Sequence, residues 1–566
     1  MAVLRVEMLV SGEREAPSRA RSARYARLLW GAGLLAVGAG LVVLYYRQSL
    51  IAPFNSDGGG VVLQAWAVLH GNPLLSGWWV ADVSFYTTEL PEYVIIEAFR
   101  GLSPDVTHIG GALTYTLTVL LAALVARGKA TGLAGVSRAL LAGGILLAPG
   151  IIGGTPVFLE NPDHAGTAVP ILLLLLVVDR WPERWYTAAA ACVLLAWTDV
   201  ADELTLVAAA VPLAVVAVVR LGPLALRRRP FADFRYDAQL AVAAVVSVPL
   251  ASGAEKALRH FGGFYPRSLP GQLLASPSQV PGNVHVLGQT LLLLFGANRP
   301  GGRLAYLTYL ADFHWIGLAL AVVGFAVGLV TFFARGQDRV TQVVVVAALA
   351  VMAAAVLGTE LPDLSHAHEI AVLAPLGAVL AGRALPRLTR TRRPREEAVS
   401  GRALERRSLY GRVLLPVLGV WVACSLAALC WAATWAPLPP ASQALANWLV
   451  GHGYTEGLAG YWQADSTTVV SGGKVLVAPI KTSSRAVMPW ESSADWYNPA
   501  THRADFIVAA PALGGVKVST ERKLFGAPAH EYHIGQYVVM TYRYNLLTKL
   551  SGRSFPGSAS ELANNA

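Results

Sequence analysis

The stretch Phe54-Asn55-Ser56-Asp57-Gly58-Gly59-Gly60 follows directly on an apolar run, Leu29 to Tyr46, that is long enough to cross a bilayer. Asp57 is therefore expected a few residues beyond a membrane exit, in a polar turn followed by three glycines. A carboxylate at that depth has two chemical uses: it takes a proton from an acceptor hydroxyl, or it binds a metal, facing a lipid-linked substrate. A structural use competes with both. Asp is a favoured N-cap, and an apolar helix is expected from Val61 to His70. The glycines are not a phosphate loop, because no Lys-Ser/Thr pair follows them.

The rest of the chain supports a membrane reading. Of its 566 residues 54% are hydrophobic and 14% charged, against about 25% charged in soluble domains, and the mean hydropathy is +0.49. The net charge of +10 does not imply nucleic acid, because the basic residues sit between apolar runs. The run Arg387 to Arg407 is expected to meet anionic lipid heads. Cys192, Cys424 and Cys430 lie in apolar runs without paired spacing, so neither a disulfide nor a thiolate metal site is expected.

About eleven spans are expected, near 29–47, 107–126, 139–152, 166–178, 186–199, 203–219, 238–255, 309–333, 341–358, 369–384 and 412–434. The apolar piece Asn283 to Phe295 is too short to span and reads as interfacial or re-entrant. Lys and Arg set the orientation. With residues 1–28 inside, as a basic leader to a retained signal anchor, one parity puts the basic clusters inside, apart from the one basic outer loop, 256–308. The short outer loops Thr155–Ala165, Asp199–Glu203 and Thr359–His368 hold no Lys or Arg. The chain then divides into a cytoplasmic N-terminus (1–28), a transmembrane domain (29–434) with outer loops 48–106, 153–165, 256–308 and 359–368, and an extracytoplasmic tail (435–566). The tail reads as a small α/β domain. It has a helix from Ala441 to Val450 and strands at Thr468–Ser471, Lys474–Ile480, Phe506–Ala509 and Tyr537–Tyr542. The expected fold class is an α-helical polytopic membrane protein carrying that domain, and the expected location is the plasma membrane.

The outer loops carry the candidate chemistry. Asp57, Asp82, Glu89 and Glu92 fall in the first, Glu160, Asp163 and His164 in the second, Asp199, Asp202 and Glu203 in the third, and Glu360, Asp363 and Glu369 at the loop before span ten. If these loops converge, they form a negative cup. Such a cup holds a divalent cation, Mg²⁺ or Mn²⁺, through oxygen ligands, with Glu160 and Asp163 the first choice, or it keeps one carboxylate basic enough to act as general base. His164 suits donation to phosphate better than ligation of a hard metal. Arg259 and Arg267 lie in the basic outer loop that could clamp a phosphate. Glu369 follows His366 and His368 in an HxH pattern and could face the same site, although a helix start explains it equally well. Aromatic residues are dense outside: Trp78, Trp79, Phe85 and Tyr86 in the first loop, then Tyr461, Trp462, Trp490, Trp496 and Tyr497 in the tail; Trp and Tyr also mark membrane interfaces, and those in the tail read either as core or as carbohydrate platforms.

Together these features resemble the GT-C superfamily of polytopic membrane glycosyltransferases: an early acid in the first outer loop, a following helix along the membrane, an acid-His motif in the second loop, eight to thirteen spans and a soluble outer tail. The tail segments Gly453-Tyr-Thr-Glu-Gly-Leu-Ala-Gly-Tyr-Trp462 and Ala504-Asp-Phe-Ile-Val508 resemble those of uncharacterised bacterial members, and the Ala, Arg and Gly bias suggests an actinobacterial-type source. The resemblance implies inverting transfer of a sugar from a polyprenyl-phosphate donor to a glycan, lipid or protein acceptor outside the membrane. Asp57 would be the base, Asp163 or Glu160 the second-loop acid, and His164, Arg259, Arg267 and Glu369 would contact substrate. The chain departs from the commoner Asp-Asp or Asp-Glu pair, reading Ser-Asp-Gly instead. Two other classes fit the composition: a flippase for polyprenyl-linked lipid, whose acids would lie near mid-membrane, and a non-catalytic anchored assembly protein.

Overall fold

Helices follow the apolar runs. The computed structural model describes residues 16–160, 162–226, 234–266, 274–334, 336–388, 413–513 and 515–552. The first helix, α1, covers Ala16–Ser49. After the polar turn, α2 (Ser56–Leu69) leads to a short strand, β1 (Trp78–Val80), and to α3 (Glu89–Arg100). Then come α4 (Asp105–Arg127), α5 (Gly132–Leu146), a single π turn at Pro156–Glu160 and α6 (Ala168–Arg180). They are followed by α7 (Trp185–Ala201), α8 (Val211–Leu226), α9 (Arg235–His260) and the two-residue strand β2 (Tyr265–Pro266). The remaining apolar helices are α10 (Val280–Leu294), α11 (Thr308–Val330), α12 (Arg339–Leu357), α13 (Leu373–Leu388) and α14 (Leu415–Ala432). Each of the eleven expected runs overlaps a helix. Among the described residues five helices are long and apolar enough to cross a membrane by themselves, and a bent pair, Leu364–Ile370 with Leu373–Ala384, makes a sixth. Shorter apolar helices include α5, α7 and α10, the last where a re-entrant or interfacial piece is expected.

The contacts sort the charged residues into two groups. At one end, Arg339 Nε meets Asp237 Oδ1 at 2.8 Å and Arg339 Nη1 meets Glu183 Oε1 at 3.0 Å. Arg220 donates to Gln342 Oε1 at 2.7 Å. Arg383 reaches both Asp179 and Asp338 at 2.7 Å and donates from Nε to the Val125 carbonyl at 2.9 Å. These pairs bolt α4, α6, α9, α12 and α13 together at the ends assigned to the inside. The outer acids meet one another at the opposite ends.

The tail forms a mixed sheet. Helix α15 (Gln443–Gly451) precedes β3 (Glu456–Ala459), α16 (Tyr461–Val470), β4 (Leu476–Pro479) and β5 (Ser492–Ser493). These are followed by β6 (Phe506–Ala509), α17 (Val518–Phe525), β7 (His530–Ile534) and β8 (Tyr537–Thr541). The sheet order is β4-β3-β6-β8-β7, with β3 parallel to both β4 and β6. Alternate residues bury on opposite faces, as the period of two requires. Leu458, Ala478, Ile507 and Met540 belong to one core, and Ala459, Val477, Val508 and Val539 to the other.

The expected strand Thr468–Ser471 is not one. Thr468 to Val470 finish α16 and Ser471 caps it. Thr467 and Thr468 turn their hydroxyls back on the carbonyls of Gln463 and Ala464, a bond to the i−4 carbonyl that suits β-branched residues inside a helix.

A second, three-stranded sheet joins parts of the chain that are far apart in sequence. β1 lies between β2, parallel, and β5, antiparallel. The first outer loop is thereby stitched to the basic outer loop on one side and to the tail on the other. Aromatic packing reinforces the seam. Trp78 meets Trp496 edge-on at 5.1 Å and Trp79 sits 6.3 Å from Tyr497. Tyr86 packs on Phe264 at 4.9 Å. Of the two readings open for the tail aromatics, core fits Trp496 and Tyr497, whereas Trp462 is half exposed.

Candidate active site

Asp57 is not the cap of its helix. α2 begins at Ser56, and Asn55 is the N-cap, its Oδ1 accepting from the Gly58 N–H at 3.2 Å. Asp57 stands in the first turn with its carboxylate released from capping duty. Its Oδ1 accepts a hydrogen bond from the Tyr461 phenol at 2.6 Å. Burial pushes the Asp57 carboxyl up to about 7. The charges of Asp163 and Asp82 add to that rise, while the Tyr461 bond and His368 oppose it.

The second-loop acids arrive by a different route. Gln48, at the end of α1, donates to the Pro149 carbonyl at 3.1 Å and to Thr155 Oγ1 at 2.9 Å, which fixes the entry to the loop. The π turn then packs on α4 where Gly111 lets the backbones touch. A Cβ at Gly111 would lie 2.6 Å from the Leu159 oxygen, so no larger residue fits without moving the turn. Glu160, the last residue of that turn, accepts from Asn55 Nδ2 at 3.1 Å. One asparagine therefore caps the Asp57 helix with one end of its amide and holds Glu160 with the other. Burial, with Asp163 and Asp57 adding to it, raises the Glu160 carboxyl to about 8.

His164 sits between two acids. Its Nδ1 is 2.9 Å from Asp202 Oδ2 and its Nε2 is 3.0 Å from Glu369 Oε2. Burial disfavours a charged ring, but Asp202 and then Glu369 outweigh it and hold the imidazolium well above its ordinary range. Thr167 also donates to Asp202 Oδ2. The His368 ring stacks on His164 at 6.0 Å with planes 6° apart, and its Nδ1 lies 4.0 Å from Asp163 Oδ2.

The structure thus brings Asp57, Glu160, Asp163, His164 and Glu369 to one place, together with Asp202 from the hairpin tip. It corrects two expectations. Donation from His164 to a phosphate is not available in this arrangement, because both ring nitrogens are engaged by carboxylates. Arg259 is held elsewhere: it pairs with Glu255 at 3.1 Å and lies over the Tyr265 ring at 5.8 Å. Arg267 lies outside the described residues. The expected pair of metal ligands, Glu160 and Asp163, is not joined by a third: among the described residues no group of three or more His, Cys, Asp or Glu is arranged to hold a metal ion.

Three residues of the site were not foreseen as acids or partners. Tyr461 opens α16. Asp465 is four positions on, and Glu491 stands just before β5. Asp465 is fully buried and Glu491 is 2% exposed. Burial and the Asp57 charge push both carboxyls well above their ordinary range. The tail reaches Asp57 because the glycine run lets it. A Cβ at Gly59 would sit 3.1 Å from the Asp465 backbone, and one at Gly60 would sit 2.6 Å from the Glu491 carboxyl. Ser56 completes the dock, donating to the Tyr461 carbonyl at 2.7 Å and accepting from the Ser466 N–H at 3.3 Å.

No family model matches the sequence, and no curated protein matches it. Two solved structures of ArnT from Cupriavidus metallidurans are similar to this chain. The one bound to undecaprenyl phosphate gives a TM-score of 0.53 at 14% identity and covers 93% of this chain and 99% of that chain. The apo structure gives 0.52 with the same identity and coverage. At that identity the likeness shows the fold alone: a mostly helical architecture like that of ArnT, with small sheets in the C-terminal region. It does not reach the actinobacterial-type subgroup suggested by composition.

Proposed function

We propose that the protein is a membrane glycosyltransferase that moves a sugar from a polyprenyl-phosphate donor to an acceptor hydroxyl at the outer face of the plasma membrane. The observation that carries this reading is the convergence of four loops and the tail on Asp57, a carboxyl raised to about 7. A base with a pKa near the working pH combines a useful ionised fraction with a useful proton affinity. In the reaction, the acceptor oxygen attacks the anomeric carbon as the bond from that carbon to the phosphate oxygen breaks. The hydroxyl proton passes to Asp57, and the electron pair leaves on polyprenyl phosphate. One displacement inverts the anomeric centre. His164, held as an imidazolium by Asp202 and Glu369, contributes positive charge to the acidic cup. ArnT, whose structure holds undecaprenyl phosphate, supports the donor class by its fold. The acids gather at helix ends rather than at mid-membrane, which favours transfer over transport.

The test is transfer in proteoliposomes from labelled polyprenyl-phosphate sugars to envelope extract, measured against pH. Because Asp57 must be ionised to act, the rate should climb about tenfold per pH unit below the base's pKa and level off above about 7. No transfer from any polyprenyl-phosphate sugar, or a rate that falls as pH rises from 5 to 7 (~2 units), would reject the reading.

A further inference from the structure

We propose that Tyr461 and Glu491 of the C-terminal domain position the Asp57 carboxylate, with the phenol bridging the two acids and Glu491 in its protonated form. The inference deepens the reading of Asp57 as base and rests on it for its catalytic meaning, but not for its geometry. Tyr461 Oη lies 2.6 Å from Asp57 Oδ1 and is also in hydrogen-bond contact with Glu491 Oε2. A phenol has one hydrogen to donate. Two carboxylates cannot both be served by it, so one of the two contacts must carry a proton of its own. The charged groups that act on Glu491 are Asp57, Asp465 and Asp163, all of them acids, and its burial is nearly complete. The extra proton therefore belongs on Glu491. The Glu491 hydroxyl donates to Tyr461 Oη, and Tyr461 donates to Asp57.

Two independent features indicate that this arrangement is built rather than incidental. Glu491 has φ of +46°, one of only three non-glycine residues with positive φ among the described residues. Such a backbone costs on the order of 1–3 kcal/mol and persists where the surroundings over-determine it, often at functional sites. The second is the space left for it. Gly60 lies on the face of α2 that Glu491 occupies, and a Cβ there would come within 2.7 Å of the Glu491 Cβ as well as its carboxyl. Any side chain at position 60 would evict the acid. Asp57 is also faced by Asp163, Asp82 and His368, with Glu160 and Asp465 close enough to feel its charge. In that crowd, a fixed donor on Oδ1 leaves Oδ2 as the oxygen for the acceptor, and a neutral Glu491 spares the cup one more negative charge. The tail is thus a working part of the site, not an appendage.

Infrared titration of the carboxyl stretch in the purified full-length protein tests this without donor or acceptor. The wild type should show protonated-carboxyl absorption that persists from roughly pH 6 to 8, to which Glu491 and Asp465 both contribute, and a component from Asp57 that titrates near 7. In difference spectra against the wild type, Glu491→Gln should remove one component of the persistent absorption, and Asp57→Asn the component that titrates near 7. Tyr461→Phe should move the titration of Asp57 up by about one pH unit, because its carboxylate loses a donated hydrogen bond. Gly60→Ala, which leaves every acid in the sequence, should displace Glu491 and shift its component. Persistent absorption untouched by both Glu491→Gln and Gly60→Ala, or an Asp57 titration unmoved in Tyr461→Phe, would overturn the proposal. Neither result depends on sugar transfer, so a failure here and a failure of the transferase reading are told apart.

Discussion

Replacing Asp57 with Asn is expected to lower the transfer rate by about 10³-fold, the middle of the range for loss of a general base, with little change in stability. The substitution keeps the shape of the side chain and keeps an oxygen that accepts from Tyr461. It also leaves the helix start intact, because Asn55 and not Asp57 supplies the cap. The lost item is proton affinity: an amide does not take the acceptor's proton. Initial rates in proteoliposomes, paired with thermal unfolding in detergent, make the comparison. A rate within threefold of wild type (~0.6 kcal/mol of barrier) would remove Asp57 from the mechanism. A large fall in melting temperature would assign it a structural role instead.

Arg383→Ala is expected to cost about 3–5 kcal/mol of stability, the usual penalty for breaking a buried ion pair from one side. The Arg383 side chain is 4% exposed and spans two carboxylates, Asp179 and Asp338, while also donating to the Val125 carbonyl. Its loss strands two acids and a carbonyl where α4, α6, α12 and α13 meet. Asp338 is also the N-cap of α12, accepting from the Thr341 N–H at 2.8 Å, so the disturbance propagates along that helix. Arg383→Lys should recover only part of the loss, because an ammonium is a point donor and cannot span both carboxylates as the guanidinium fork does. Thermal unfolding of the detergent-solubilised protein reads both variants. If Arg383→Ala melts within about half a degree of wild type, a shift worth on the order of 0.6 kcal/mol for a chain of this length, the cluster does not bind the bundle together.

Much of this was legible in the sequence because its signals are local. Apolar length alone located the long apolar helices. The second-loop acids could be picked out because they adjoin an apolar run and place two carboxylates and an imidazole within five positions. What the sequence hid is non-local. Nothing around Glu491 marks it as an active-site acid, since its role comes from a backbone with positive φ and from a glycine more than 400 positions earlier. Gly58-Gly59-Gly60 was the available hint. A glycine run in the first turns of an otherwise apolar helix marks a close approach by another backbone, and here that backbone is the tail. The role of His164 was misjudged for a related reason. Its partners, Asp202 and Glu369, come from loops that only the folded bundle brings to it, and they occupy both nitrogens that the sequence left open. The end of α16, Thr468–Ser471, was read as a strand because Thr-Val-Val favours strands by propensity; in the fold it finishes the helix, with the Thr467 and Thr468 hydroxyls satisfied on the carbonyls four residues back.

The most direct measurement of the central claim is photocrosslinking with an undecaprenyl phosphate analogue that carries its reactive group beside the phosphate, in proteoliposomes, with mapping of the labelled peptides. The account predicts labels confined to peptides around Asp57, Glu160 to His164, His368 and Tyr461, all suppressed by excess undecaprenyl phosphate. Labels spread along the apolar helices, or gathered at the opposite end around Arg339 and Arg383, would contradict it.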